Sequence, residues 1–291
     1  DMGGHLTHGH KASAVGKLWK QIPYSVDKKT EVLNYVEIMK IAKKEKPLLI
    51  VAGFTAYSRI IDFKKFKKIA DAVNAIFMVD MSHFAGLVAG KTYPSPFKHA
   101  DVIMTTTHKT LRGPRGAMIF SKKELSEKID KAVFPGMQGG PHMNQIAATA
   151  AALYEADKSE FKTYAKQVVK NAKILAGELK RFGWRVISGG TDTHLILIDI
   201  FSRGIGGKQA SKSLEKAGII VNKNTIPYDK RSPTDPSGIR LGTPTLTSRG
   251  MKEKEMKKIA GLINKVLTRK ESPAKIKKEV QRLCLKFPVK R

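Results

Sequence analysis

The chain has 291 residues, 41% of them hydrophobic and 27% charged, enough for one large domain and a smaller one and typical of a globular protein. No apolar run approaches the roughly 18 residues of a membrane span, no secretory leader opens the chain, and its one cysteine, Cys284, excludes an internal disulfide or a cysteine-rich metal site. The net charge of +29 raises nucleic acid as a partner.

The lysines argue against that use of the charge. In 62–73, Phe63, Phe66, Ile69, Ala70 and Val73 recur at helical spacing, and Lys64, Lys65, Lys67 and Lys68 fill the outward positions. In 251–267, Met256, Ile259, Ile263 and Val266 share one face. The charge reads as solvated helix faces spread along the chain, with no aromatic-plus-basic recognition motif. A reducing cytoplasm is the expected location.

In chain order, the first feature is Asp1 followed by glycine-rich Gly3-Gly4-His5, an abrupt opening that reads as a truncation. From Pro47 strands and helices alternate. Leu48–Val51, Ala75–Val79, Asp101–Thr105 and Gly116–Phe120 are strand-length apolar runs, and Asp62 is the expected N-cap of an intervening helix. Continuous apolar strands separated by helices predict an α/β fold with a mostly parallel sheet. Helices are expected over 144–156 and 158–182, the second bridging to a smaller α+β unit. In that unit Trp184–Ile187, His194–Ile200 and Ile219–Val221 read as strands, and 208–217, 251–268 and 274–284 as helices. The resulting division is 1–157 for the large domain and 158–291 for the small one.

Ligands of such sheets sit at the carboxyl ends of the strands. Thr55, Asp80 with His83, and Lys109 stand after the first three. A desolvated lysine offers a neutral amine for Schiff-base chemistry, and an acid at the pyridine nitrogen is its usual companion in pyridoxal-phosphate enzymes. Any one of the 54 Lys and Arg residues is by default a surface charge, so Lys109 gains weight only from Asp80. His83 and His5 taken alone are more often structural; a flat imidazole at His5 can stack on a ring. The Gly136–Pro141 loop, before a helix, offers amides for phosphate, a weak pattern by itself. Arg240, between glycines, suits a carboxylate. Arg112 and Arg115 serve a phosphate, a carboxylate or merely the loop after Lys109.

Taken together these segments resemble the serine hydroxymethyltransferase family. The matching motifs are Gly-Gly-His-Leu-Thr-His-Gly at 3–9, Val-Asp-Met-Ser-His-Phe-Ala-Gly at 79–86 and Thr-Thr-Thr-His-Lys-Thr-Leu-Arg-Gly-Pro-Arg-Gly at 105–116. They continue with Phe-Pro-Gly-Met-Gln-Gly-Gly-Pro at 134–141, Ser-Gly-Gly-Thr-Asp at 188–192, Val-Asn-Lys-Asn at 221–224, Gly-Ile-Arg-Leu-Gly-Thr-Pro at 238–244 and Leu-Cys-Leu-Lys-Phe-Pro at 283–288.

The resemblance implies a fold-type I pyridoxal 5'-phosphate enzyme that interconverts serine and glycine, with tetrahydrofolate as cosubstrate. It is implied to be a homodimer or higher oligomer whose site is shared across subunits. Carried over, Lys109 is the Schiff-base lysine, Asp80 pairs with the pyridine nitrogen, His5 stacks on the ring, and His83 and Thr55 contact its oxygen side. Arg240 receives the substrate carboxylate, and Gly140 donates to the cofactor phosphate across the dimer. Gly4, Leu6 and Asn224 contact the folate, and Arg115 orders the lysine loop. The family's N-terminal region, with a serine-bearing phosphate loop, a tyrosine reaching the neighbouring subunit and an acid–base glutamate, has no counterpart in the 291 residues, so the chain by itself is expected to be impaired. Thr55 stands where serine is usual, and Met137 where variety is tolerated. Two other readings are a threonine aldolase, which would not depend on folate, and an inactive basic scaffold that binds nucleic acid.

Overall fold

The computed structural model describes residues 3–269 and 271–289; Asp1 lies outside them. After the short helix α1 (Ala14–Leu18), α2 (Tyr35–Glu45) opens at Asn34, whose side-chain oxygen accepts from the amides of Val36 and Glu37. Its buried face is Ile38 and Ala42, and it ends at Lys46 in the left-handed conformation. Neither helix was predicted.

The predicted alternation follows. β1 (Leu49–Ala52), α3 (Phe63–Asp71), β2 (Ile76–Asp80), α4 (Ala85–Ala89), β3 (Val102–Thr106) and β4 (Ala117–Ser121) form a sheet in the order β1-β2-β3-β4. β1, β2 and β3 are parallel, while β4 is an antiparallel edge on β3. Asp62 caps α3 as expected, its carboxylate accepting from the Lys65 amide at 3.0 Å. Phe63, Phe66, Ile69 and Ala70 of α3 are buried and Lys64, Lys65 and Lys68 are exposed, as the helical spacing requires. Because three strands run the same way, Thr55, Asp80 and Lys109 reach one end of the sheet.

α5 (Lys123–Lys131) and α6 (Met143–Asp157) lead to the long α7 (Ser159–Arg181). Phe161, Ala165 and Val168 of α7 pack in the apolar cluster under the first sheet, whereas Ala172, Leu175, Ala176 and Leu179 pack in a second cluster. That second cluster surrounds an antiparallel sheet of β5 (Arg185–Val186), β6 (Leu195–Asp199), β7 (Asn222–Asn224) and β8 (Gly238–Gly242), ordered β5-β6-β8-β7. α8 (Gly207–Lys216), α9 (Pro244–Ser248), α10 (Glu253–Leu267) and α11 (Pro273–Lys286) complete the unit. All five residues of β6 are buried, which explains its unbroken apolar run.

Two readings of strands need correction. Ile219–Val221 is not a strand: the Ile219 amide still donates to Leu214 O at 2.9 Å, closing α8, and pairing with β8 begins only at Asn222. Gly238–Gly242, read only as a motif, is a central strand of the second sheet, which sets Arg240 opposite Asn222 and Leu197.

Candidate active site

The site is built where β1, β2 and β3 end. After β1 the chain turns at Gly53, with φ of 144°; a Cβ there would lie 2.1 Å from Asp80 O, so only glycine lets this turn press on β2. The turn delivers Thr55, whose amide donates to Gly3 O at 2.6 Å, with the Ala56 amide on the same oxygen at 3.1 Å. The glycine-rich segment near the start of the chain is thereby held against the sheet end.

Asp80 closes β2. The Ser82 amide donates to its Oδ1 at 2.9 Å, and His8 Nε2 lies 2.8 Å from its Oδ2. Burial works to raise its pKa, but the hydrogen bonds from His8 and Ser82 overcome this and hold it at about 2. Asp80 is therefore ionised at neutral pH.

Lys109 follows β3 in a loop fastened on both sides. The Thr107 amide donates to Gly116 O at 2.9 Å and the Gly113 amide to Thr107 O at 2.8 Å. Thr110 Oγ1 donates to His83 O at 2.9 Å and accepts from the Gly86 amide at 3.0 Å, which ties the loop to α4. Arg112, at φ 63°, lays its guanidinium 4.1 Å over the Tyr164 ring of α7. Burial, together with the positive charges of Arg240 and Arg115, lowers the Lys109 pKa, and Asp80 opposes them. The amine is poised toward its neutral, nucleophilic form.

His83 faces the same region and stacks on His194 of the second unit, with ring centroids 5.8 Å apart and planes 15° apart. Burial and the neighbouring His194, Lys109 and Arg240 push its pKa to about 2, and burial takes His194 to about 3. Both imidazoles are neutral. Arg240 reaches across from β8: Nη1 donates to Thr55 O at 2.6 Å and Nη2 to Asn222 Oδ1 at 3.3 Å. Burial alone perturbs it, and no carboxylate pairs with it among the described residues. A half-buried guanidinium in that state has capacity for an incoming anion.

Besides His194 Nδ1, three buried polar atoms on the turn after β1 and on the segment leading to Lys109 lack a partner within the protein: Thr55 Oγ1, Thr106 Oγ1 and His108 Nδ1. Buried polar groups are rarely left so, and these three flank Lys109 or follow β1. A ligand bearing several acceptors and donors fits them.

The remaining residues divide. His5 is exposed and tilted 59° against His8 at 5.9 Å; burial, His8 and Lys109 lower its pKa, which sets it beside the cluster. Gly4 and Asn224 adjoin Gly3 and Thr225, which line one cavity with Ala56, Ser188 and Pro227. Leu6 is exposed at 63%. Arg115 is exposed, and its charge lowers the pKa of His108 and Lys109. Gly140 is not brought to the cluster within one chain: a Cβ there would meet nothing within 4 Å, and the whole 134–142 segment is exposed or half-exposed.

The residue reading missed His8, His194 and Thr106. His8 carried a signal, as the second histidine of a glycine-bounded pair three residues apart. His194, at the head of an apolar run, looks like any buried histidine until β6 is placed.

The family model described as serine hydroxymethyltransferase matches residues 1–263. The chain belongs to the serine hydroxymethyltransferase family. A serine hydroxymethyltransferase of Koribacter versatilis (strain Ellin345) is 53% identical over 290 residues, an alignment that covers 99% of this chain and 68% of that relative. Membership makes the chain an enzyme of serine–glycine interconversion on a fold-type I α/β scaffold and leaves the aldolase and nucleic-acid readings without support. Among the described residues no helix is long and apolar enough to cross a membrane.

Proposed function

We propose that the cluster around Lys109 binds pyridoxal 5'-phosphate and uses it to move the hydroxymethyl carbon of serine to tetrahydrofolate, reversibly, leaving glycine. The observation that carries this reading is the meeting of a desolvated lysine, a carboxylate held ionised and three unpartnered buried polar atoms at one sheet end. A phosphorylated hydroxypyridine supplies the partners that Thr55, Thr106 and His108 lack. When bound, the cofactor supplies an electron sink for the pair released at the substrate Cα.

The chain's residues divide the work. Lys109 would hold the cofactor through Nζ, the desolvated amine at the end of β3. Asp80, held ionised by His8 and Ser82, would keep a proton on the ring nitrogen. His83, neutral, donates to or accepts from the phenolic oxygen, with Thr55 beside it. His5 would supply a flat imidazole to stack on the ring. Arg240, which has no carboxylate partner among the described residues, would take the substrate carboxylate on its remaining N–H donors and orient the Cα–Cβ bond. Gly4, Leu6 and Asn224 line the folate side, and Arg115 orders the Lys109 loop. Gly140 donates its amide to the phosphate of a partner subunit's site. That assignment is supported by the exposure of Phe134, Met137, Met143, Ile146 and Tyr154 around it, an apolar face suited to a second copy in a homodimer or larger oligomer. A division into 1–157 and 158–291 is proposed with α7 as the bridge, since the first half of that helix packs in one apolar cluster and the second half in the other. The cytoplasm is the compartment proposed.

Reduction of the cofactor-loaded protein with borohydride, followed by peptide mapping, tests the reading. The label is expected on the Lys109 peptide and is lost in Lys109→Ala. A label on any other lysine overturns the assignment.

A further inference from the structure

The turn Ser188-Gly-Gly-Thr-Asp192 is a marked motif with no part in the site so far. In the fold it is a receptacle for Arg59. The Arg59 guanidinium donates from Nε to Ser188 Oγ at 3.0 Å, from Nη1 to Asp192 Oδ1 at 3.3 Å, and from Nη2 to Ser188 O. Alongside, Ser58 Oγ donates to Gly190 O at 3.1 Å and the Asp192 amide donates to Ser58 O at 2.8 Å. The glycines have a reason: Gly189 has φ of 74°, and a Cβ on Gly190 would lie 3.3 Å from Arg59 Nη2. Ser188, itself at φ 55°, is held in that conformation by Glu31, whose carboxylate accepts from the Ser188 amide at 2.7 Å and from Arg185 Nη1 at 2.6 Å.

Arg59 lies in the same short loop as Thr55. At the loop's other end Thr55 O seats Arg240 Nη1, and Thr55 and Ala56 hold Gly3. One loop therefore carries the seat of the carboxylate-binding arginine at one end and a polar anchor to the second unit at the other, in which Thr191 Oγ1 also donates to Ser58 O at 3.3 Å and Ser58 Oγ lies 3.2 Å from Ser188 Oγ. Arg59 touches neither Lys109 nor Arg240.

We propose that Arg59 is a positioning residue for the amino-acid carboxylate: docked in the 188–192 turn, it fixes the Thr55 carbonyl and thereby the Arg240 fork relative to Lys109. This rests on reading Arg240 as the carboxylate receptor. The ligand class it tunes is the α-amino acid. Lys109 and Asp80, the main holders of the cofactor, follow β3 and close β2 and are not anchored through the 188–192 turn.

The test compares Arg59→Ala, Arg59→Lys, Arg240→Ala and the Arg59→Ala/Arg240→Ala double variant in the cofactor-loaded protein. Serine KM and kcat, the dissociation constant of glycine, cofactor affinity and Tm are measured. Hydrogen exchange at the Thr55 and Ala56 amides is followed in the cofactor-free protein. Arg59→Ala is expected to raise serine KM and the glycine dissociation constant about tenfold, the equivalent of one well-seated charged hydrogen bond. It should leave kcat and cofactor affinity near the parent values and speed exchange at Thr55 and Ala56. Arg59→Lys should recover part of the loss. In the Arg240→Ala background the Arg59→Ala effect should vanish, because both act on one interaction.

An Arg59→Ala loss that persists in full in that background overturns the proposal, as does a parallel fall of kcat, cofactor affinity and Tm. If Arg240→Ala changes serine binding and Arg59→Ala does not, this proposal fails alone; if Arg240→Ala has no effect, the carboxylate reading fails and takes the proposal with it. Should Arg59→Ala not fold, Asp192→Asn removes one anchor and is held to the same KM-against-kcat criterion.

Discussion

Removal of the His8 imidazole tests the electrostatic centre of the site. Asp80 is lowered from its ordinary 3.8 to about 2 although burial pushes the other way, so the donors must outweigh the burial. At about 1.4 kcal/mol per pH unit, the net depression corresponds to roughly 2 kcal/mol of stability. Because the folded value lies below the unfolded one, that stability is present above pH 3.8 and is lost as pH falls through about 2. His8→Ala leaves Oδ2 in a half-buried position without its 2.8 Å partner, with Ser82 as the remaining donor. The Asp80 pKa should rise, and the protein should lose about 2 kcal/mol at pH 7, a fall in Tm of several degrees. His8→Gln retains a donor and should restore part of both. The assay is urea unfolding of the cofactor-free protein between pH 2 and 7, with the Asp80 carboxyl carbon titrated by NMR. The difference between parent and His8→Ala should be full at neutral pH and shrink as Asp80 becomes protonated. An Asp80 carboxyl in His8→Ala that still titrates near about 2, with unchanged unfolding, would falsify the reasoning.

Other predictions concern the groups around it. His83 and His194 are held neutral by burial, with pKa near about 2 and about 3, while in the unfolded chain they take up protons near 6.5. The unfolded state thus binds more protons below that pH, so stability should decline from pH 6.5 toward 5; His194→Phe should flatten that slope in urea midpoints, and an unchanged slope would count against the buried neutral pair. Thr106→Val and Thr55→Val remove hydroxyls that lack partners, so the cofactor-free protein should keep its Tm or gain slightly, whereas cofactor affinity should fall about five- to tenfold for each. A loss of Tm with unchanged affinity in equilibrium dialysis would show that those hydroxyls serve the fold instead.

Much of the site was legible because the chemistry and the scaffold leave local marks. A continuous apolar strand ending in a polar or charged residue marks a buried strand whose tip meets solvent, and the gathering of Asp80, Thr55 and Lys109 at one sheet end was read in this way. Asp62 was found as a cap because a side-chain oxygen before an amphipathic run satisfies free amides by itself. The failures lie where no local rule applies. Ile219–Val221 has the composition of a strand, yet the helix end at Leu214 claims its first amide. Asn222–Asn224 has a poor strand composition and is one, because β8 offers it an edge.

The amino-acid sequence alone determined the α/β class and the parallel core of the first sheet, and it singled out Lys109, Asp80 and Arg240 as candidates, since burial periodicity and motif chemistry act within a few residues of each other. Only the tertiary structure decided that His8 bonds Asp80, that His194 stacks on His83, that Arg59 fills the 188–192 turn, and that Arg240 is seated on Thr55. Those partners lie 72, 111, 129 and 185 positions apart. The last three contacts exist only after two separate sheets have packed, the first only after the N-terminal segment has docked on the sheet end, and no short stretch of sequence carries that geometry.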